Sequence, residues 1–504
     1  MAFTYLKKFN AKIDDKYVLF IFVALISSIW SLKLFVEWGS DFGVYYSLPY
    51  FLDENYRLYK EAFSHKGPVY LLFTYILGGL MGWGAIQAYL TLVATIATYF
   101  FSILYVISNR TKNFTIKTVV LLISLLILGN TTTNASISLF LTGLIILSLY
   151  FLVESLNNNN LIFFLFSVTI FTLSVLTRID ALFLLPAFIV ILMLMHLNGL
   201  SVNGVLIFFF SGLTVASIIF YAISVVFGFT LDEYILHNIY FNLQYKNQNT
   251  PGIKPFVLEH IQALFSTGIT PFFILILGYI VKELFLNHDH NNKSYLFNRK
   301  IIKQQLLVSI LVFFLGYALW VYSNSGKSYH IYSIATPLLF FIAFWGDYVA
   351  TCSKYLALLA VPLMLYLSFY PLKAGANVLI NHRNCIHDIY CNASPVSLYK
   401  ETIEQMSKRD SSAIVGGRGW PHLFSNSKPE LSMNNWWIYY RKETFMTDYL
   451  LKGHEKLITR PSGYIFWIDK IMTTGDNRSI YFSQVLSAST KLSVDGKYIR
   501  VYIK

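Results

Sequence analysis

Uninterrupted apolar runs long enough to cross a bilayer recur along this chain from about residue 18 to about residue 370. A helix needs about 20 apolar residues to span the hydrocarbon core, and a backbone in that core must satisfy its own hydrogen bonds. Most of the chain is therefore expected to be helical and polytopic. Composition agrees: 56% of residues are hydrophobic and 13% charged, with 43 Phe and 36 Tyr, more apolar surface than a soluble protein hides. Past residue 370, charges, Gly, Asn and Pro return and no run is long enough to span. The expected fold class is an all-α membrane domain over 1–371, followed by a small extracytoplasmic α/β domain over 372–504.

The formal net charge of +13 would suggest nucleic acid in a soluble protein. Here Lys and Arg sit mainly in short loops between apolar runs, where orientation in the membrane and anionic lipid explain them, so no nucleic-acid partner is expected. Lys7, Lys8, Lys12 and Lys16 precede the first run, 18–36, which places the N-terminus in the cytoplasm. That run is full length and lacks a small-residue cleavage site, so it is expected to stay as the first pass. Lys293, Arg299, Lys300 and Lys303 mark a second cytoplasmic loop. Counting forward gives passes at 305–321, 331–345 and 355–370. Counting backward gives outward loops at 228–260, 178–180 and 131–135 and an inward loop at Arg110 and Lys112. Residues 68–107 must contain an odd number of crossings, so 68–81 is expected to form a short interfacial helix before a full pass over 84–107. The total is about 11 passes.

Three cysteines are too few for a disulfide scaffold. Cys385 and Cys391 lie close together in the part placed outside and are a candidate pair, whereas Cys352 falls in an inward loop as a free thiol.

The first outer loop, within 38–82, is amphipathic, carrying Asp41, Tyr45, Tyr46, Asp53, Glu54, Arg57, Lys60, Glu61, His65 and Lys66. Carboxylates beside Lys and His at a membrane face are the parts that activate a hydroxyl and neutralise a phosphate leaving group; the plain alternative is a solvated loop. Asp41 four residues before Tyr45, the His65, Lys66, Gly67, Pro68 element, Arg178 with Asp180, and Lys327 to His330 ahead of Pro337 form an ordered set. In that order and on that common side, the chain resembles the GT-C superfamily of membrane glycosyltransferases, which includes protein O-mannosyltransferases and the aminoarabinose transferases that modify lipid A.

The resemblance implies a polytopic enzyme whose donor is a polyprenyl-phosphate sugar entering from the bilayer. It casts Asp41 as general base, with Lys66, Arg178 and Lys327 on the phosphate and Tyr45, His65, Tyr329 and His330 as further substrate contacts. The plain reading of Arg178 and Lys327 is snorkelling at helix ends, and of Asp180 a partner for Arg178. Where many members carry a second acidic residue in the next outer loop, this chain has Asn130, Thr131, Thr132, Thr133, Asn134, Ala135 and Ser136. Metal-independent chemistry without a cofactor is expected accordingly. His65 and Gly67 also replace the residues usual beside the lysine.

A likeness to serotype-converting glucosyltransferases points to a hexose such as glucose, moved from undecaprenyl phosphate to O-antigen at a bacterial inner membrane. Its expected partners are the lipid-linked sugar, a glycan acceptor, membrane lipids, a donor-synthesising membrane glycosyltransferase and a flippase. The rivals are a polymerase or ligase using a lipid-pyrophosphate donor, and a flippase or transporter, although no related halves are visible.

The loop 228–260 mixes Asp232, Glu233, His237, Asn238, Tyr240, Asn242, Gln244, Tyr245 and Lys246, a composition suited to sugars. Beyond residue 377, strands are expected at 413–415, 464–468 and 498–503 and a helix at 398–406. Gly416, Gly417, Arg418 and Gly419 lack the spacing of a nucleotide-binding turn; they and Asn434, Asn435, Trp436 and Trp437 are candidate glycan contacts.

Overall fold

The computed structural model describes residues 40–60, 62, 64, 66–110, 136–158, 160–242, 400–415, 420–425, 427–429, 464–468, 490–491 and 499–503, with isolated residues within 27–28, 117–124, 307–315 and 373–380. The first pass at 18–36, the loop at 287–303, the passes at 305–321, 331–345 and 355–370, all three cysteines and the 371/372 boundary lie outside the described residues as elements.

In chain order the helices are α1 (Ser40–Asp53), α2 (Pro68–Met81), α3 (Ala85–Arg110), α4 (Ser136–Asn158) and α5 (Leu161–Thr177). A 3-10 turn (Ile179–Leu184) leads into α6 (Leu185–Leu197), α7 (Val202–Phe227) and the short α8 (Leu231–Ile235), which continues into a π-turn (Leu236–Tyr240). Among the described residues, four helical stretches are long and apolar enough to cross a membrane: Ile86–Arg110, Ile137–Leu156, Ile179–Leu197 and Val202–Phe227.

The turns between passes are signalled locally. The Asn160 side chain caps α5 by accepting from the Ile162 amide, and the Ser201 hydroxyl caps α7 by accepting from Gly204. Gly228 ends α7 with φ +65, a left-handed conformation that glycine adopts without steric cost.

Small residues let the helices approach closely. A Cβ on Gly143 of α4 would stand 3.3 Å from the Thr98 carbonyl oxygen of α3, and one on Gly212 of α7 would stand 2.9 Å from the Val168 side chain of α5. Ser148 of α4 and Ser167 of α5 donate into each other's backbone carbonyls at 2.9 and 2.7 Å. Leu141, Ile145, Leu149, Leu152, Phe164, Phe188 and Ile191 fill the space between α4, α5 and α6, and Phe171 stacks on Phe188 at 4.3 Å.

Two ends of this bundle can be told apart. Arg110 at the close of α3 pairs with Glu154 near the close of α4, so α3 and α4 run in the same direction. At the opposite end, called here the site end, Arg178 reaches Ser138 at the start of α4, and the loop after α1 bonds to the last residues of α5 and α7. Ser138, Arg178 and Gly228, each in or next to a loop expected on one membrane face, thus gather at one end.

Helix α2 has the expected bounds. Its 14 residues rise about 21 Å, too little for a ~30 Å core. Rather than lying alone at an interface, it runs antiparallel along the first turns of α3: Tyr70 meets Thr95 (3.1 Å), and Gln87 donates to the Thr74 carbonyl at 3.4 Å. Trp83 in the intervening turn covers Gly78, where an added Cβ would come within 2.3 Å of the indole.

In the C-terminal part, α9 (Lys400–Met406), β1 (Ser411–Val415), α10 (Trp420–Ser425), β2 (Lys428–Pro429), β3 (Tyr464–Ile468), β4 (Thr490–Lys491) and β5 (Ile499–Ile503) form helices beside a mixed sheet. Its order is β2-β1-β3-β5-β4. Strands β1 and β3 are parallel, with Ala413 opposite Ile465, and β5 is antiparallel to β3, with Val501 opposite Phe466. Strands thus form at the three stretches marked by their apolar, β-branched and aromatic residues.

Candidate functional site

The loop between α1 and α2 is a strap laid across the ends of two helices. The Leu58 amide donates to the Phe227 carbonyl (3.0 Å), and Arg57 Nε donates to the Gly228 carbonyl at 2.8 Å. Both bonds use carbonyls that the end of α7 leaves without helical partners. Nine residues on, the Gly67 amide donates to the Thr177 carbonyl of α5 at 3.1 Å. Only glycine fits there, because a Cβ on residue 67 would lie 1.6 Å from the Leu176 carbonyl oxygen.

That backbone bond brings the Lys66 backbone close to that of Arg178. Within the strap, the Lys66 amide donates to Ser64 Oγ at 3.1 Å, while its carbonyl accepts from Ser64 Oγ (3.2 Å) and from the buried Tyr59 hydroxyl (2.9 Å). Arg178 follows α5 in an extended conformation that turns its side chain back toward the 3-10 segment. Its Nε and Nη2 donate to the two Asp180 carboxylate oxygens at 3.1 and 2.5 Å, and Nη1 donates to Ser138 Oγ at 3.0 Å. The guanidinium is 10% exposed and its partner 18%, so the pair is largely withdrawn from solvent. A bidentate, partly desolvated pair of this kind ties the 3-10 turn to α4.

Helix α1 reaches the same region through tyrosines. Tyr45 packs edge-on against Tyr70 with centroids 6.2 Å apart. The Tyr46 and Tyr70 hydroxyls meet at 3.2 Å, and Tyr70 meets Thr95 at 3.1 Å. Tyr70 stands one turn into α2, close after Lys66. Asp41 belongs to α1 one turn before Tyr45, and its side chain lies outside the described residues.

Of the residues singled out in the sequence, the structure thus gathers Tyr45, Lys66, Arg178 and Asp180 at the site end. His65, Lys327, Tyr329 and His330 lie outside the described residues, as do Gly416 to Gly419 and Asn434 to Trp437. Among the described residues, no group of three His, Cys, Asp or Glu side chains comes together.

Three features were not legible in advance. The first is Tyr59, which composition left as one aromatic among many. The second is the inward orientation of His237 and Asn238. These two were read with the sugar-binding mixture of the loop 228–260, yet they are 2% and 3% exposed and face the strap. The start of this segment is fixed by a reciprocal cap between Thr230 and Glu233, a signal present in the sequence.

The third is the seating of α10 against α1. Phe51 meets the His422 ring edge-on at 5.4 Å, and Lys428 pairs with Glu54 at 3.6 Å. Asp53 next to them accepts from Trp83 Nε1 at 2.7 Å. Burial lowers the His422 pKa to about 4 and outweighs the bond between its Nδ1 and the Ser427 carbonyl, which acts the other way. His237 is likewise lowered to about 4 by burial, against a backbone bond at Ser64.

Both folded-state values lie below the ordinary 6.5, so the unfolded chain binds more protons between pH 6.5 and 4. The stability that these histidines contribute while neutral is full above about pH 6.5 and is lost as pH falls toward 4. Thermal unfolding of the detergent-solubilised chain should therefore move to lower temperature through that window. His422→Phe, which retains a ring against Phe51, should show a shallower decline.

No family model matches the chain, and no curated protein matches it. Among solved structures, it is similar to ArnT from Cupriavidus metallidurans, crystallised bound to undecaprenyl phosphate, with a TM-score of 0.55 and 12% identity over 97% of this chain and 98% of that one. At that identity the likeness is one of fold. The chain therefore shares its fold with that protein.

Proposed function

We propose that this GT-C-fold chain is an inverting glycosyltransferase that moves a sugar from a polyprenyl-phosphate carrier to a glycan acceptor at the outer face of a bacterial inner membrane. The observation that carries the reading is the Gly67 to Thr177 backbone bond. It ties the residue after Lys66 to the residue before Arg178, so the backbones of two candidate phosphate residues are neighbours, within a fold shared with a protein crystallised on undecaprenyl phosphate. The finer assignment is a hexose such as glucose, carried to O-antigen, and it rests on the overall likeness to serotype-converting glucosyltransferases, on the size of the chain and on its having no feature that suggests a protein acceptor.

In this reading the acceptor hydroxyl oxygen attacks the anomeric carbon and its proton passes to Asp41. The bond from that carbon to the phosphate oxygen breaks on the opposite side, and its electron pair leaves with the phosphate. The products are an inverted glycoside and the free polyprenyl phosphate. One carboxylate suffices, in contrast to retaining hydrolysis. The departing phosphate needs positive charge rather than a proton, and Lys66 supplies it, joined by Lys327, with His65, Tyr329 and His330 donating hydrogen bonds. Arg178 is already bound on two edges by Asp180 and Ser138, so its main part is to brace the floor beneath the phosphate.

The direct test incubates the purified full-length protein with undecaprenyl-phosphate glucose and isolated O-antigen. Release of undecaprenyl phosphate with formation of an inverted glycoside is the expected result. Turnover only of pyrophosphate-linked donors would replace this reading with the polymerase or ligase, and no turnover of any lipid-phosphate sugar would end it.

A further inference from the structure

We propose that Tyr59 is a positioning residue for Lys66, its hydroxyl holding in place the backbone that carries the ammonium to the lipid phosphate. The inference rests on the phosphate-binding role given to Lys66 above. Tyr59 is fully buried and takes φ +64, a left-handed conformation that is costly for a bulky side chain. Such strain persists only where surrounding contacts impose it, and here they can be named.

The ring is enclosed by Phe229 at 5.1 Å, His237 at 5.3 Å and Tyr234 at 6.1 Å between centroids. All three belong to the segment after α7. The phenol donates to the Lys66 carbonyl at 2.9 Å and also meets the Asn238 amide. His237 bonds the backbone at Ser64, two residues before Lys66. His237 and Asn238 are both buried and lie in a π-turn, a local widening that recurs at functional sites. Burial holds the phenol well above its ordinary pKa, so it remains a donor across the physiological range.

The arrangement links two outer-loop segments far apart in sequence to one carbonyl, and that carbonyl is Lys66's own. A phenol whose work was only to fill the core would satisfy any nearby acceptor. This one is directed at the residue given the phosphate.

Binding of undecaprenyl phosphate to the full-length protein in detergent, by isothermal titration, tests the idea with Tyr59→Phe, Lys66→Ala and the double variant. Tyr59→Phe keeps the ring and removes one hydrogen bond, so it should weaken binding roughly 3- to 10-fold. Lys66→Ala should weaken it more, and the double variant should bind no worse than Lys66→Ala alone. Full additivity, or unchanged affinity in Tyr59→Phe, would overturn the proposal while leaving the enzymatic reading standing. Unchanged affinity in Lys66→Ala would overturn it as well, whereas a wild-type protein that binds no polyprenyl phosphate would remove the functional reading itself. If Tyr59→Phe fails to purify, Ser64→Ala removes the other side-chain bond to the same carbonyl and should show the same lack of additivity.

Discussion

Asp41→Asn should lower sugar transfer by about 10²- to 10⁴-fold while leaving the protein folded and able to bind undecaprenyl phosphate. That span is the usual contribution of a positioned general base. The substitution is nearly isosteric, but an amide cannot take up the acceptor's proton. The loss should therefore appear in kcat and kcat/KM for the acceptor, with little change in donor affinity. The control is the thermal unfolding temperature, which should match wild type within a degree or two, since the exchange changes neither the size nor the shape of the side chain. A folded Asp41→Asn protein with wild-type transfer would remove Asp41 from the role and leave the fold, strap and lysine where they are.

Gly67→Ala should have an effect of another kind, lowering both stability and donor binding. A methyl group there would sit 1.6 Å from the Leu176 carbonyl oxygen, less than half an ordinary contact, and the obstacle is backbone rather than a flexible side chain. The strap must lift from α5, which breaks the Gly67 to Thr177 bond and displaces Lys66. Overpacking alone costs typically 1–3 kcal/mol, and losing the backbone bond adds about 1, enough to lower the unfolding temperature by several degrees. Donor affinity should fall at least as far as in Lys66→Ala, although no charge has been removed. Wild-type stability and binding in Gly67→Ala would mean that the strap does not hold Lys66 against α5.

Much of the scaffold could be read from residue patterns because a bilayer simplifies the problem. A run of apolar residues can do little except cross, and Pro68 and Gly82 bracket α2 as expected of a helix start and stop. The common end shared by Ser138, Arg178 and Gly228 followed from counting crossings. The site was legible only as a set of candidates. Arg178 has a charge and a position that suit a phosphate, yet Asp180, two residues on, takes one edge of its fork and Ser138 another; a spacing of two leaves that pairing open until the extended backbone at Arg178 is known. Gly67 stood out as a departure from the pattern the sequence resembles, whereas its reason is the carbonyl of a residue more than a hundred positions away. Tyr59, His237 and Asn238 depend on contacts between segments just as remote, and no local rule brings a π-turn beneath a strap.

The strap also dictates an order of assembly. Arg57 and its partner Gly228 are 171 residues apart in the chain, so the loop leaves the ribosome long before α5 and α7 exist to receive it. During synthesis the amides of Leu58 and Gly67 must wait in water or among lipid headgroups while the intervening helices enter the bilayer. A nascent chain halted before residue 228 could hold a paired α2 and α3 but no closed loop. The lysine therefore reaches its final place late in biogenesis, after the last residues of α7 have been made.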